Sequence, residues 1–192
     1  MKKDELKKVY KYDEEKKCFI VEISLDYYLE MFNDWDAAPL NRKDLEPELV
    51  EYLENVAEDI PLHQNISIVF MMPKSVENTQ TESVSRQVFI NYYGYLIHLN
   101  QRQIRRNWKR SFGYLTTGII FLIAATLLPT GTTLPLEVLS QGMYIGGWVF
   151  AWEAISAAVF QMSELRAKNK RYLRYQRAQI DYVYRPQNPS ES

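Results

Sequence analysis

The 192-residue chain is poor in the residues from which most binding and catalytic motifs are built. It has one cysteine, Cys18, and two histidines, His63 and His98. A single thiol makes no internal disulfide, which fits a reducing compartment. Neither histidine has a Cys or His partner at zinc-ligand spacing, so no metal site is expected. No G-x-S-x-G, Walker A or G-x-G-x-x-G segment occurs, so the sequence gives no reason to expect a cofactor or an enzyme active site. The acidic pair in Asp34-Trp35-Asp36 lacks the loop spacing and central glycine of an EF-hand. The opening residues, MKKDELKKVYKYDEEKK, are charged throughout and do not read as a signal peptide.

Charge is also scarce over one long stretch. Residues 112–160 contain no Lys or Arg and two acids, Glu137 and Glu153, although the mean hydropathy of −0.35 suggests a soluble chain. Elsewhere the charges segregate. Residues 13–59 carry fifteen acids and four bases, while residues 86–185 carry thirteen bases and four acids. A basic half that brackets apolar helices is a signal of membrane topology before it is one of nucleic-acid binding.

The apolar stretch holds two runs. The first, 112–128, is FGYLTTGIIFLIAATLL, about 17 residues and near the lower limit for crossing ~30 Å of hydrocarbon. Pro129 stops it. A Pro/Gly/Thr loop, 129–137, separates it from the second run, 138–161. Arg102, Arg105, Arg106, Lys109 and Arg110 precede the first run. Arg166, Lys168, Lys170, Arg171, Arg174 and Arg177 follow the second, and the loop has no Lys or Arg. This asymmetry predicts a transmembrane hairpin in the inner membrane with both termini cytoplasmic and the loop outside. Trp108, Tyr114, Trp148 and Trp152 add interfacial aromatics.

Three further stretches read as strands: 18–25 and 65–72, β-branched and apolar, and 178–185, where Ile180, Tyr182 and Tyr184 alternate onto one face. Between the first two, Asp26 caps a short helix. Asp44 caps a second, with Pro47 in its first turn and an apolar stripe of Leu49, Val50, Leu53 and Val56. Thr79 and Glu82 have capping-box spacing and open a longer helix that no proline interrupts before Pro129. The expected fold is an α+β membrane protein: a small cytoplasmic domain of about three strands (16–107 and 163–185, including a helical stalk) with the two-helix hairpin inserted. A charged N-terminal tail, 1–15, and a C-terminal tail, 186–192, flank it.

Four groups of residues are candidates for function. Glu153 is an ionisable side chain inside a span, and such groups are expensive there. It either pairs structurally, with Thr116 or Thr117 across the hairpin or with the basic flank, or serves transport or sensing. Gly142, Gly146 and Gly147 put small residues on the second span, allowing close approach within the hairpin or between copies. The basic flanks form the membrane interface and are attracted to anionic lipid. The acidic residues Asp34, Asp36, Glu48 and Glu51 offer a face to a partner protein.

The segment SQGMYIGGWVFAWEA, residues 140–154, resembles a pattern in small uncharacterised prokaryotic membrane proteins, in which IGGWV-x-x-W follows an apolar helix and a short loop. The resemblance implies a bacterial or archaeal inner-membrane protein and carries no activity with it. The leading expectation is therefore a membrane-anchored interaction or sensing module. Its partners are the bilayer, a cytoplasmic protein or ligand, and further copies of itself, with no nucleic acid. The alternative is a membrane-active effector or small channel made of assembled hairpins.

Overall fold

Strand-forming sequence in this chain is concentrated in CFIVEIS and NISIVFMMP, whose branched and aromatic side chains suit a pleated, buried surface. In the computed structural model, which describes residues 3–129 and 133–186, both are strands. Nine elements follow in order: α1 (Lys3–Val9), β1 (Lys11–Asp13), β2 (Cys18–Ser24), α2 (Pro47–Asp59), β3 (Asn65–Pro73), α3 (Thr79–Leu127), α4 (Leu134–Ser156), α5 (Met162–Gln176) and β4 (Gln179–Arg185). A π-helical turn, Ala157–Gln161, joins α4 to α5. The middle of the expected loop, 130–132, and the tail beyond Pro186 lie outside the described residues.

The chain divides into two compact units. One comprises the described residues up to Ile97 and from Lys170 onward, the other His98–Asn169. The first unit contains one sheet in the order β1-β2-β3-β4. The β1/β2 pair is antiparallel, while β2/β3 and β3/β4 are parallel. Parallel neighbours need a crossover connection. The first crossover passes through α2. The second leaves β3 through α3 and returns to β4 through α5, so the apolar hairpin lies within it.

The sheet has four strands, not about three. The additional strand comes from the segment expected to be a charged tail, 1–15, which instead forms α1 and β1 and buries Leu6. Two expected caps are also replaced. The Asp44 side chain does not cap α2, which starts at Pro47 without a side-chain cap. The short helix expected after Asp26 is a single 3₁₀ turn, Tyr28–Met31, again without a side-chain cap; Glu30 accepts the Asp26 N–H at 2.9 Å. At α3 the cap is Asn78, whose Oδ1 accepts the Thr81 N–H at 3.0 Å.

The core is continuous across these elements. Phe19 and Val21 of β2, Ile68 and Phe70 of β3, Leu53 and Val56 of α2, Phe89 and Tyr93 of α3, and Tyr175 of α5 are all buried. The Arg174 guanidinium closes the C-terminal end of α2, donating to the carbonyls of Ile60 (2.8 Å), Pro61 (3.2 Å) and Ala57 (3.4 Å). A cation there satisfies orphan carbonyls and complements the helix dipole. Beside it, the Tyr175 hydroxyl donates to the Leu53 carbonyl. Burial pushes this hydroxyl up to about 12, against an ordinary value of 10.0.

Because its folded pKa is raised, Tyr175 contributes stability that is intact below pH ~10 and is lost as pH rises towards 12. Tyrosinate absorbance in an alkaline titration should therefore include a component that appears together with unfolding. Tyr175→Phe should reduce that component without abolishing it, because burial raises Tyr93 and Tyr182 as well. Replacing Leu6, 1% exposed, with Ala should cost about 2–5 kcal/mol in urea unfolding. A loss below ~0.5 kcal/mol, the range of ordinary surface substitutions, would mean that α1 does not belong to the core.

Candidate functional site

Two helices, Thr79–Leu127 and Leu134–Gln176, are long and apolar enough to cross a membrane. Within the second unit they meet along a seam of small and polar residues spaced by sevens. Ser111, Gly118 and Ala125 of α3 lie against Ala154, Gly147 and Ser140 of α4. A Cβ added to Gly118 would sit 2.9 Å from the Gly147 carbonyl oxygen and 3.1 Å from the Ala151 nitrogen, so the two backbones approach too closely for any side chain. Ser140 Oγ donates to the Ala125 carbonyl at 3.1 Å. Near the π turn, Ser111 Oγ and Asn107 Nδ2 donate to the carbonyls of Ala154 and Ala157, each at 2.8 Å. A π turn disturbs the backbone ladder, and these donors help satisfy the carbonyls beside it. Farther along, Asn100 Nδ2 donates to the Leu165 carbonyl at 2.8 Å.

The glycines expected to act as one surface are divided. Gly147 is in the seam and Gly146 abuts the Phe121 ring, whereas a Cβ added to Gly142 would enter open space. Thr116 is not brought to Glu153; its hydroxyl bonds the Phe112 carbonyl of its own helix at 2.9 Å. Among the described residues no hydrogen bond joins Thr117 to Glu153. Glu153 is half-buried and lies within electrostatic range of Arg110.

Arg102, Arg105, Arg106, Lys109 and Arg110 are exposed on α3, and Arg166 and Lys168 on α5. The remaining two expected interface bases belong to the first unit. Arg171 lies 3.8 Å from Glu58, and Lys170 borders a cleft.

This cleft, 490 Å³ in volume, opens at the N-terminal ends of the three parallel strands. Cys18 of β2, Ile66 and Ser67 of β3 and Gln179 of β4 line it. Lys16, Lys170, Arg174 and Arg177 also line it, without any carboxylate. Local structure explains each placement. Asp13 Oδ1 accepts the N–H groups of Glu15 and Lys16, both at 2.9 Å, and Lys17 takes a left-handed φ of 51°, which tightens the turn carrying Lys16. Lys170, Arg174 and Arg177 recur at i, i+4 and i+7, one stripe of a helix. Burial lowers the Arg174 pKa and raises that of the Cys18 thiol. At the opposite strand ends Tyr28 and Tyr184 hydroxyls meet at 2.5 Å, Tyr184 donates to Glu82, and Tyr28 accepts the Asn78 N–H at 3.2 Å.

The acidic face is also more divided than its composition suggests. Asp34, Glu48 and Glu51 are exposed. Asp36 instead organises its own loop, accepting the N–H groups of Ala38 and Asp44, both at 2.9 Å. Those bonds hold its carboxyl below the usual range. Glu51 borders a 380 Å³ hollow with Asp44, Glu54 and Tyr92. Among the described residues no group of three or more His, Cys, Asp or Glu side chains is arranged to hold a metal.

Comparison with protein-family models, with curated proteins and with solved structures finds no match to this chain.

The seam geometry predicts opposite behaviour for two glycines. In a Cys18→Ser background carrying Ala125→Cys and Ser140→Cys, oxidation should cross-link α3 to α4. Gly118→Val should lower that yield sharply and Gly142→Val should leave it unchanged. Equal yields would show that the two backbones are not in close contact.

Proposed function

We propose that the chain is a membrane-anchored module that holds its small α+β domain at the cytoplasmic face of the inner membrane as a binding or sensing platform. The observation that carries this reading is the outward surface of the hairpin. Ile119, Ile120, Ile123, Leu127, Val138 and Ile145 are all exposed, as are Trp148, Val149, Trp152 and Phe160. An apolar surface of this extent is costly in water and normal against lipid. The hydroxyls of Ser111 and Ser140, costly in lipid if left unpaired, bond carbonyls within the seam instead.

The direction of insertion follows from charge. Lys170, Arg174 and Arg177 line the cleft, and leaving them out still gives eight bases beside the spans against none in the loop 129–137. This favours both termini inside. The likeness of residues 140–154 to small prokaryotic membrane proteins fits an inner-membrane location. The seam of a single hairpin is filled by Gly118, Gly147, Ala125 and Ser140, which favours an anchor over a conductive path.

In a Cys18→Ser background, a cysteine at Thr133 should react with a membrane-impermeant maleimide in intact cells. One at Ser83 should react only after lysis, and the reverse pattern would overturn the topology. Glu153→Gln should leave both the mass in detergent and the membrane potential of expressing cells unchanged. Depolarisation by the wild type that disappears in this variant would replace the anchor with a pore-forming effector.

A further inference from the structure

The cleft at the N-terminal ends of β2, β3 and β4 collects positive charge that its own walls do not balance. Lys16, Lys170, Arg174 and Arg177 converge on it with no carboxylate among the lining residues. Lys16 has the one ion pair, a loose contact of 3.7 Å to Asp181. Among the described residues neither Lys170 nor Arg177 forms a salt bridge. Arg174 is fixed by its three carbonyl bonds to the end of α2, and its buried Nε has no partner. Its charge is thus held beside the cleft and is not free to swing into solvent. Like charges held together repel, and an anion relieves that repulsion.

The rest of the lining is mixed. Leu62, Ile66, Leu173 and Ala178 are apolar, and Gln64, Asn65 and Gln179 carry amides that donate and accept. A volume of 490 Å³ is in the range of small-molecule sites. The opposite strand ends, where sheets of this kind usually take ligands, are occupied by the Tyr28–Tyr184–Glu82 network.

We propose that this cleft binds a phosphate-bearing organic anion. Lys16, Lys170 and Arg177 contact the phosphate, Arg174 supplies a fixed charge behind them, and the amide and apolar lining takes the organic part. The phosphate is carried either by a soluble phosphorylated compound of nucleotide size or by a phospholipid headgroup. The inference deepens the platform reading by naming the ligand chemistry. It concerns the first unit alone, so a failed topology experiment would not touch it.

Cys18, the sole cysteine, lines the cleft at 6% exposure and serves as a reporter in the unaltered protein. Full-length protein in phosphatidylcholine nanodiscs is treated with N-ethylmaleimide alone or with ATP, and ATP binding is measured by equilibrium dialysis. A second preparation contains phosphatidylglycerol and no ATP. ATP should bind saturably and slow Cys18 alkylation, and Lys170→Glu with Arg177→Glu should weaken binding by about tenfold or more through loss of two charge-assisted contacts. Arg102→Glu with Arg105→Glu, outside the cleft, should leave it unchanged. Protection by phosphatidylglycerol alone would assign the phosphate to a lipid headgroup. Absence of binding and protection with both probes, or equal weakening by the two double variants, would overturn the proposal. If the double variant does not fold, Lys170→Gln is measured in its place against the same two outcomes.

Discussion

Parallel strands that lie side by side cannot be joined by a tight turn, because the chain must travel back to the other end of the sheet before it can pair again. This constraint shapes the molecule. The β2-to-β3 return is made by the single helix α2, a compact solution. The β3-to-β4 return passes through α3 and α5, and the apolar hairpin falls between β3 and β4 in the chain. Inserting the hairpin here leaves the sheet register undisturbed, since β3 and β4 pair over seven residues. It also delivers the last turns of α5, with Lys170 and Arg174, and Arg177 just beyond them, to the N-terminal edge of β4. The basic cleft is therefore a product of the crossover.

Different forces hold the two units. In the first, burial of large side chains such as Phe19, Phe70, Phe89 and Tyr93 provides the stabilisation, and hydrogen bonds such as Arg174 to the end of α2 complete it. In the membrane placement that we propose for the hairpin, lipid tails are as apolar as leucine, so helices gain nothing by hiding leucines from them. Close backbone approach at Gly118 and Gly147 and side-chain bonds to carbonyls take over that role. Gly118, Ala125, Ser140 and Gly147 are consequently inside the seam, and large residues such as Ile120 and Trp148 are exposed.

The strands were legible in sequence wherever branched residues clustered. Expected strands at 18–25, 65–72 and 178–185 match β2, β3 and β4 within about a residue at each end. What was not legible depended on pairing. β1 is three residues of mixed character, KYD, and becomes a strand because β2 lies beside it. Asp44 has the right identity for a cap, but its own N–H is taken by Asp36 in a loop closed on itself. Lys170, Arg174 and Arg177 read as a membrane flank because charge composition does not distinguish one helix face from another. Their i, i+4, i+7 spacing did carry that information. Asn100, Asn107 and Ser111 are hidden in composition among the charges of the other flank, although Asn100 and Asn107 are seven apart and Ser111 begins the run of sevens continued by Gly118 and Ala125.

That run of sevens restricts how the hairpin can vary in length. Every contact from Ser111–Ala154 to Ala125–Ser140 uses the same helical face, so the contacts share one phase. One residue inserted in either arm turns everything beyond it by about 100°. Branched residues such as Ile119 or Ile120 would then face a partner backbone that has room only for hydrogen, and several contacts would fail together. The connecting loop is free of this coupling. Gain and loss of residues across related chains should therefore accumulate between Leu128 and Leu134, with each arm changing by substitution alone.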